Sequence, residues 1–98
     1  MTNNTSIHHS EDATRGEFYF ERDGERLAKM TYSRSTPTLV IVDHTEVSDV
    51  LKGQGMGRQL LDALVAWARQ TGTEVMATCP YALAQFRKDE SLRDVFAG

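Results

Sequence analysis

Seven residues in the middle of the chain, Lys52-Gly53-Gln54-Gly55-Met56-Gly57-Arg58, have the make-up of an anion site. Glycines at alternate positions remove Cβ atoms where a backbone must come close to something. The first turn of a following helix would add free N–H groups and the positive end of the helix dipole, which together suit a phosphate or pyrophosphate. Lys52 and Arg58 flank the loop and add positive charge. Two common nucleotide motifs do not fit. A dinucleotide fingerprint that starts at Gly53 and Gly55 needs a third glycine where Arg58 stands, and the chain has no Gly-Lys-Ser/Thr run of a P-loop. The bland alternative is a glycine-rich turn that only reverses the chain.

Three other residues carry reactive groups. Cys79 closes a short apolar segment and could act as a nucleophile if its thiolate were stabilised. A lone cysteine is equally well a small buried apolar residue. His44 and Glu46, two apart on a strand, point to the same side, so the carboxylate could orient or charge an imidazole base. Both could instead be rim residues on a polar strand face. Tyr81, after Pro80, reads by default as aromatic packing. His8 and His9 lie in a polar stretch with no nearby cysteine or well-spaced carboxylate, so no metal site is expected.

Those groups need elements to hold them. Residues 1–14 show no periodicity and read as a disordered tail, leaving 15–98 as one domain. Glu17 to Arg22 alternates, with Phe18 and Phe20 on one face. Asp23-Gly24 is a hairpin signal, Arg26 to Tyr32 the return strand, and Thr38 to Val47 a third, β-branched strand. After the loop, Met56, Leu60, Leu61, Leu64, Val65 and Ala68 recur at helical spacing. Gly72 is placed to close that helix in the left-handed conformation. Trp67 lies beside the apolar stripe and reads as packing. Glu74 to Cys79 reads as a strand ended by Pro80, with short helices over 81–88 and 91–96, the last capped by Asp89 or Ser91. The expected order is β-β-β-α-β-α-α.

Composition narrows the function classes. The chain has 98 residues, enough for one small domain. A net charge of −3, from 11 basic and 14 acidic residues, argues against a nucleic-acid surface. One cysteine allows no internal disulfide and suits a reducing compartment. No signal-peptide core or membrane-length apolar run is visible, so a cytoplasmic location with no membrane partner is expected.

The loop resembles the pyrophosphate-binding signature of GNAT acetyltransferases, Gln/Arg-x-x-Gly-x-Gly/Ala, with Lys52 in the first position. That exchange keeps a cation but loses the guanidinium fork. A wider likeness runs over residues 16–96. His44-Thr45-Glu46-Val47, the glycine loop, Ala68-Arg69 before Gly72, and Thr78-Cys79-Pro80-Tyr81 are together similar to a family of short, single-domain GNAT-like N-acetyltransferases. Those proteins lack the two helices that most GNATs carry between the first two strands, and here the Asp23-Gly24 turn stands in that place. The resemblance implies an α+β (α/β) fold with a GNAT-like mixed sheet, and acetyl-CoA as cosubstrate. It implies that Val47 ends the strand whose backbone pairs with the pantetheine arm, and that amides from Gln54 to Arg58 hold the pyrophosphate. The implied cofactor residues are therefore Val47, Lys52, Gly53, Gln54, Gly55, Met56, Gly57 and Arg58. The implied chemistry is acetyl transfer to an amine of a small molecule or a protein. Cys79 would lie near the thioester, His44 and Glu46 would serve the amine, and His44 and Cys79 could meet across neighbouring strands. The alternative is a module that binds acetyl-CoA or CoA with little turnover. Monomer and homodimer both remain open.

Overall fold

The computed structural model of the protein describes residues 7–98. Five strands, β1 (Ile7–Glu11), β2 (Arg15–Arg22), β3 (Glu25–Thr36), β4 (Leu39–Val47) and β5 (Glu74–Ala77), lie side by side in sequence order. β1 to β4 run antiparallel and β5 runs parallel to β4. That last pairing needs a crossover, which α1 (Met56–Thr71) supplies; α2 (Pro80–Lys88) follows β5. The sheet is mixed and the fold is α+β, as expected.

Away from the register shifts between β2 and β3 and between β3 and β4, the strands alternate. Phe18, Ala28, Met30, Tyr32, Val40, Val42 and Val75 are buried on the face that packs against the helices. The six apolar residues foreseen on α1 are the six that it buries, Met56, Leu60, Leu61, Leu64, Val65 and Ala68. Burying a large aliphatic side chain is worth about 1.5–3 kcal/mol, so this stripe docks the helix. α2 adds Ala82 and Phe86. The other face of the sheet is polar, with ion pairs such as Arg26–Glu17 and Lys29–Glu46. The Asp23-Gly24 turn has positive φ at both residues, 54° and 81°, as the tight hairpin requires.

Two expectations are corrected. Residues 7–14 are not a tail: Ile7–Glu11 pairs with β2 as an edge strand, so the Asp23-Gly24 turn joins the second and third strands rather than the first two, and residues 1–6 of the expected tail lie outside the described residues. The strand escaped notice because it is polar, and its pairing is carried by backbone. Asp12 closes the hairpin by accepting from the N–H groups of Thr14 and Arg15, both at 2.9 Å. At the other end, 91–96 is not an α-helix. A 3-10 turn, Glu90–Leu92, starts with Asp89 accepting from the N–H of Ser91. The chain then runs beside β5, with Val75 N–H bonded to Val95 O and Ala97 N–H to Val75 O, both at 2.8 Å. Covering that strand's outer side satisfies groups a bare edge would expose.

Candidate active site

The glycine loop leads directly into α1, and its backbone is shaped by positive φ at Gly53 (81°) and Gly55 (68°). Gly55 is the N-cap of α1 and no side chain caps the helix. The first helical hydrogen bond is donated by Gln59 N–H to Gly55 O, at 3.1 Å. Among the described residues, no backbone acceptor serves the N–H groups of Gly55, Met56, Gly57 and Arg58. Four open donors at the positive end of a 16-residue helix form an anion cradle. Gln54 is outside this row, because its N–H is turned back to Leu51 O at 3.2 Å.

The cradle opens into a cavity of about 450 Å³ lined by Thr45, Val47, Ser48, Asp49, Leu51, Lys52, Gly53, Gly55, Met56, Gly57 and Tyr81. Val47, Lys52, Gly53, Gly55, Met56 and Gly57, all expected from the sequence, are thus brought together. Gly57 has a different task from its neighbours: a Cβ there would stand 3.1 Å from the Tyr81 ring, so the glycine lets that ring close one wall. Burial raises the Tyr81 phenol above its ordinary value; Arg58 opposes this, and Asp62 and Cys79 add to it.

Arg58 is a correction. Its Nε donates to Asp62 at 2.8 Å and its terminal nitrogens to Gln85 (3.0 Å) and Asp89 (2.5 Å). The guanidinium ties α1 to α2 and is committed there, leaving only the backbone N–H for the cradle. The pairing is strong on the acid side too, since hydrogen bonds from Ser91 and then Arg58 hold Asp89 down at about 2. Lys52 remains on the cavity wall as its cation.

β4 and β5 part company beyond Val42. The last paired residues are Val42 and Ala77, and Val42 O then accepts from both Thr78 N–H (2.9 Å) and Cys79 N–H (3.1 Å). The remainder of β4 has no β5 partner along its side. Here Thr45 Oγ1 lies 3.1 Å from Cys79 Sγ. Cys79 is 4% exposed and sits at the N-cap of α2, behind the Thr45 end of the cavity.

The expected meeting of His44 with Cys79 does not occur, and the cause is one extra residue. Tyr32 pairs with Val42 but Thr31 pairs with His44, so Asp43 is a β-bulge. A bulge resets the alternation. Thr45 and Val47, opposite Met30 and Ala28, point toward the helices, whereas His44 and Glu46, opposite Thr31 and Lys29, point to the open face. His44 and Glu46 do share a side, with Nε2 and Oε1 3.9 Å apart, and both are well exposed. Thr45 and Asp43 are the residues that sequence reasoning missed; the signal was an aspartate interrupting the run Leu39-Val40-Ile41-Val42.

Known proteins share this fold. Residues 17–95 match the family described as GCN5-related N-acetyl-transferase. A GCN5-like protein from Staphylococcus aureus, solved by NMR, is 33% identical, with a TM-score of 0.73 over 96% of this chain and 91% of that one. The ribosomal-protein-alanine N-acetyltransferase of Brucella melitensis is similar in fold at 18% identity (TM-score 0.61, 89% of this chain and 64% of that one). An aminoglycoside acetyltransferase from an uncultured soil metagenomic sample is similar in fold at 17% (TM-score 0.62, 81% and 60%). The chain therefore spans less than two thirds of those two longer enzymes. No curated protein is similar enough to match. With the family profile over most of its length and a relative that aligns nearly end to end, the chain belongs to the GCN5-related N-acetyltransferase family.

Proposed function

We infer that the protein is an acetyl-CoA-dependent N-acetyltransferase whose cosubstrate lies in the cavity between the glycine loop and Thr45. The observation that carries this reading is the row of four N–H groups, Gly55 to Arg58, that have no backbone partner among the described residues and stand at the mouth of a cavity with Val47, Leu51 and Met56 on its wall beside the polar Thr45, Ser48, Asp49 and Lys52. A pyrophosphate fits that row, and Lys52 adds charge. Unpaired backbone on β4 beyond Val42 suits an amide-bearing arm, with Val47 and Thr45 against it. When bound, acetyl-CoA supplies an activated acetyl thioester.

The chain's own groups divide by face. His44 and Glu46 stand on the open side of β4, where an amine can approach and give up its proton to the imidazole. Cys79, next to Thr45, is the candidate acyl carrier. In that route its sulfur–carbon bond forms as the CoA sulfur–carbon bond breaks, and the thiol proton passes to the CoA sulfur. The amine, already relieved of its ammonium proton by His44, takes the acetyl group as the Cys79 sulfur–carbon bond breaks, and its nitrogen gives a second proton to the Cys79 sulfur. In direct transfer the amine nitrogen bonds the acetyl carbon as the CoA sulfur–carbon bond breaks, and Tyr81, on the cavity wall, protonates the leaving sulfur and regains a proton from that nitrogen. Relatives in fold are named for protein alanine and for aminoglycoside acceptors, so an amine is what they have in common.

A second reading, a module that binds CoA with little turnover, is favoured by Cys79 lying behind Thr45 with no imidazole beside it. Calorimetric titration with acetyl-CoA, with Gly55→Glu as the matched variant, tests the shared part. Saturable binding that the variant abolishes is expected; absence of binding to the wild type rejects both readings. CoA release with a panel of amines then separates them. Turnover lost in His44→Ala supports the enzyme, and a rate unchanged in both His44→Ala and Cys79→Ala refutes the assigned roles.

A further inference from the structure

Asp43 stands where the apolar half of β4 gives way to its polar half, and it is the extra residue of the bulge. Its carboxylate accepts from Thr31 Oγ1 at 2.6 Å and Ser33 Oγ at 2.9 Å, and pairs with Arg15 at 3.2 Å. Thr31 and Ser33 are successive open-face positions of β3, so one side chain spans two steps of the neighbouring strand. Burial alone would raise this carboxyl. The hydrogen bonds from Thr31 and Ser33, then Arg15, outweigh burial and hold it below the ordinary carboxylate range.

We propose that Asp43 is a positioning residue: clamped to Thr31, Ser33 and Arg15, it holds the bulge that turns Thr45 and Val47 toward the cofactor cavity. Strand side chains repeat every two residues, so a bulge lost from the ladder moves every later side chain to the opposite face. Val40 and Val42 are fixed inward by the core. If regular alternation continued from them, His44 and Glu46 would point at the helices, and Thr45 and Val47 at solvent. The cavity would then lose two apolar or hydroxyl walls and gain two titratable ones, and the open face would lose its imidazole. Asp43 touches neither Cys79 nor the glycine loop; it acts through the strand's facing. The importance of that facing for acetyl transfer rests on the function proposed above, whereas the clamp itself can be tested without it.

The test uses the free protein first. Nuclear Overhauser contacts between the Thr45 methyl and the Cys79 β-protons report which way Thr45 points, and amide exchange at residues 44–47 reports whether the ladder with β3 is held. Asp43→Ala should lose the contact and speed that exchange by at least about tenfold, while α1 amides stay protected. The Thr31→Val/Ser33→Ala double variant removes the clamp from the other strand and should do the same, which guards against Asp43→Ala simply failing to fold. Asp43→Asn should retain both features, because its carboxamide can still bond both hydroxyls. Acetyl-CoA affinity should drop by about tenfold in the first two proteins and stay near wild type in the third. An intact Thr45–Cys79 contact with wild-type exchange in Asp43→Ala overturns the proposal. Should the wild type bind no acetyl-CoA, the functional reading fails, yet the contact and exchange data still decide the role of Asp43.

Discussion

The two ends of α1 are built on the same left-handed glycine and are otherwise opposites. Gly55 begins the helix at φ 68° and Gly72 ends it at φ 69°. At the C-terminal end the polar groups find partners within the chain. Gly72 and Thr73 N–H both turn back to Ala68 O, Thr71 Oγ1 donates to Trp67 O, and it also bonds Thr73 Oγ1 at 2.8 Å. Arg69 adds a link to Asp94 and to Ser91 O. At the N-terminal end, among the described residues, four N–H groups are left open and no side chain caps the helix. A helix end can be closed for stability or left open for a ligand, since the same orphan groups cannot serve both. The open end faces the cavity, and the closed end faces the last segment of the chain.

Replacing both glycines with alanine separates the two uses. Neither position has an atom within 4 Å of where a Cβ would go, so the cost is backbone strain alone, about 1–2 kcal/mol at each. Thermal denaturation should therefore show Gly55→Ala and Gly72→Ala losing similar stability, on the order of 4–8 °C in Tm per kcal/mol. Acetyl-CoA titration should part them. Gly55→Ala tilts the first-turn donors and should weaken binding by about tenfold or more, whereas Gly72→Ala should bind like the wild type. Equal affinities in the two variants would undo the contrast between an open and a closed end.

A smaller effect distinguishes the two cations near the open end. Arg58 gives its guanidinium to Asp62, Gln85 and Asp89, while Lys52 lines the cavity. Lys52→Ala should lower acetyl-CoA affinity by roughly tenfold, ~1.4 kcal/mol, with Tm unchanged. Arg58→Ala should do the reverse, lowering Tm through the lost α1–α2 tie and leaving affinity nearly intact. A large affinity loss in Arg58→Ala would mean that the side chain swings to the ligand.

What the sequence revealed and what it hid divide along similar lines. The loop, α1 and its apolar stripe were legible because each is specified by residues adjacent in the chain: alternate glycines, then 3.6-residue periodicity. The facing of His44 was not, because it depends on hydroxyls 10 and 12 residues away that hold Asp43 out of the ladder. Arg58 looked like a phosphate ligand because its partners Gln85 and Asp89 lie 27 and 31 residues further on. Only the Asp62 pair, at i,i+4, was there to be read. β1 was hidden for another reason: a polar edge strand has no apolar rhythm, and its anchors are the His9 imidazole, stacked on rings from other elements, and Glu11, bonded to Tyr32 and Arg34.

That imidazole makes the closed end of the molecule the one that should respond to acid. His9 is exposed overall, but its ring stacks on Phe18 at 4.1 Å and meets Trp67 edge-on at 4.9 Å. Its Nε2 is 2.7 Å from the Tyr32 hydroxyl, which in turn bonds Glu11 at 3.0 Å. The hydroxyl has one hydrogen and Glu11 accepts it, so neutral His9 carries its proton on Nε2 and donates to Tyr32. Burial lowers the His9 pKa, Glu11 raises it and Arg34 lowers it, with a net fall. The unfolded chain, titrating near ~6.5, therefore takes up a proton before the folded one does. This contribution is present above that pH and is lost as pH drops through it toward the folded value. Glu11 is also shifted down, so its share disappears only at lower pH, in the carboxylate range. The wild type should show a modest fall in Tm between pH 7.5 and 5.5, together with a change in fluorescence of Trp67, the only tryptophan in the chain. His9→Gln keeps a donor for Tyr32 but cannot be charged, and should flatten both curves over that interval. An undiminished fall in His9→Gln would assign the acid response elsewhere and leave β1 held by its backbone pairing and by Glu11 on Tyr32 and Arg34.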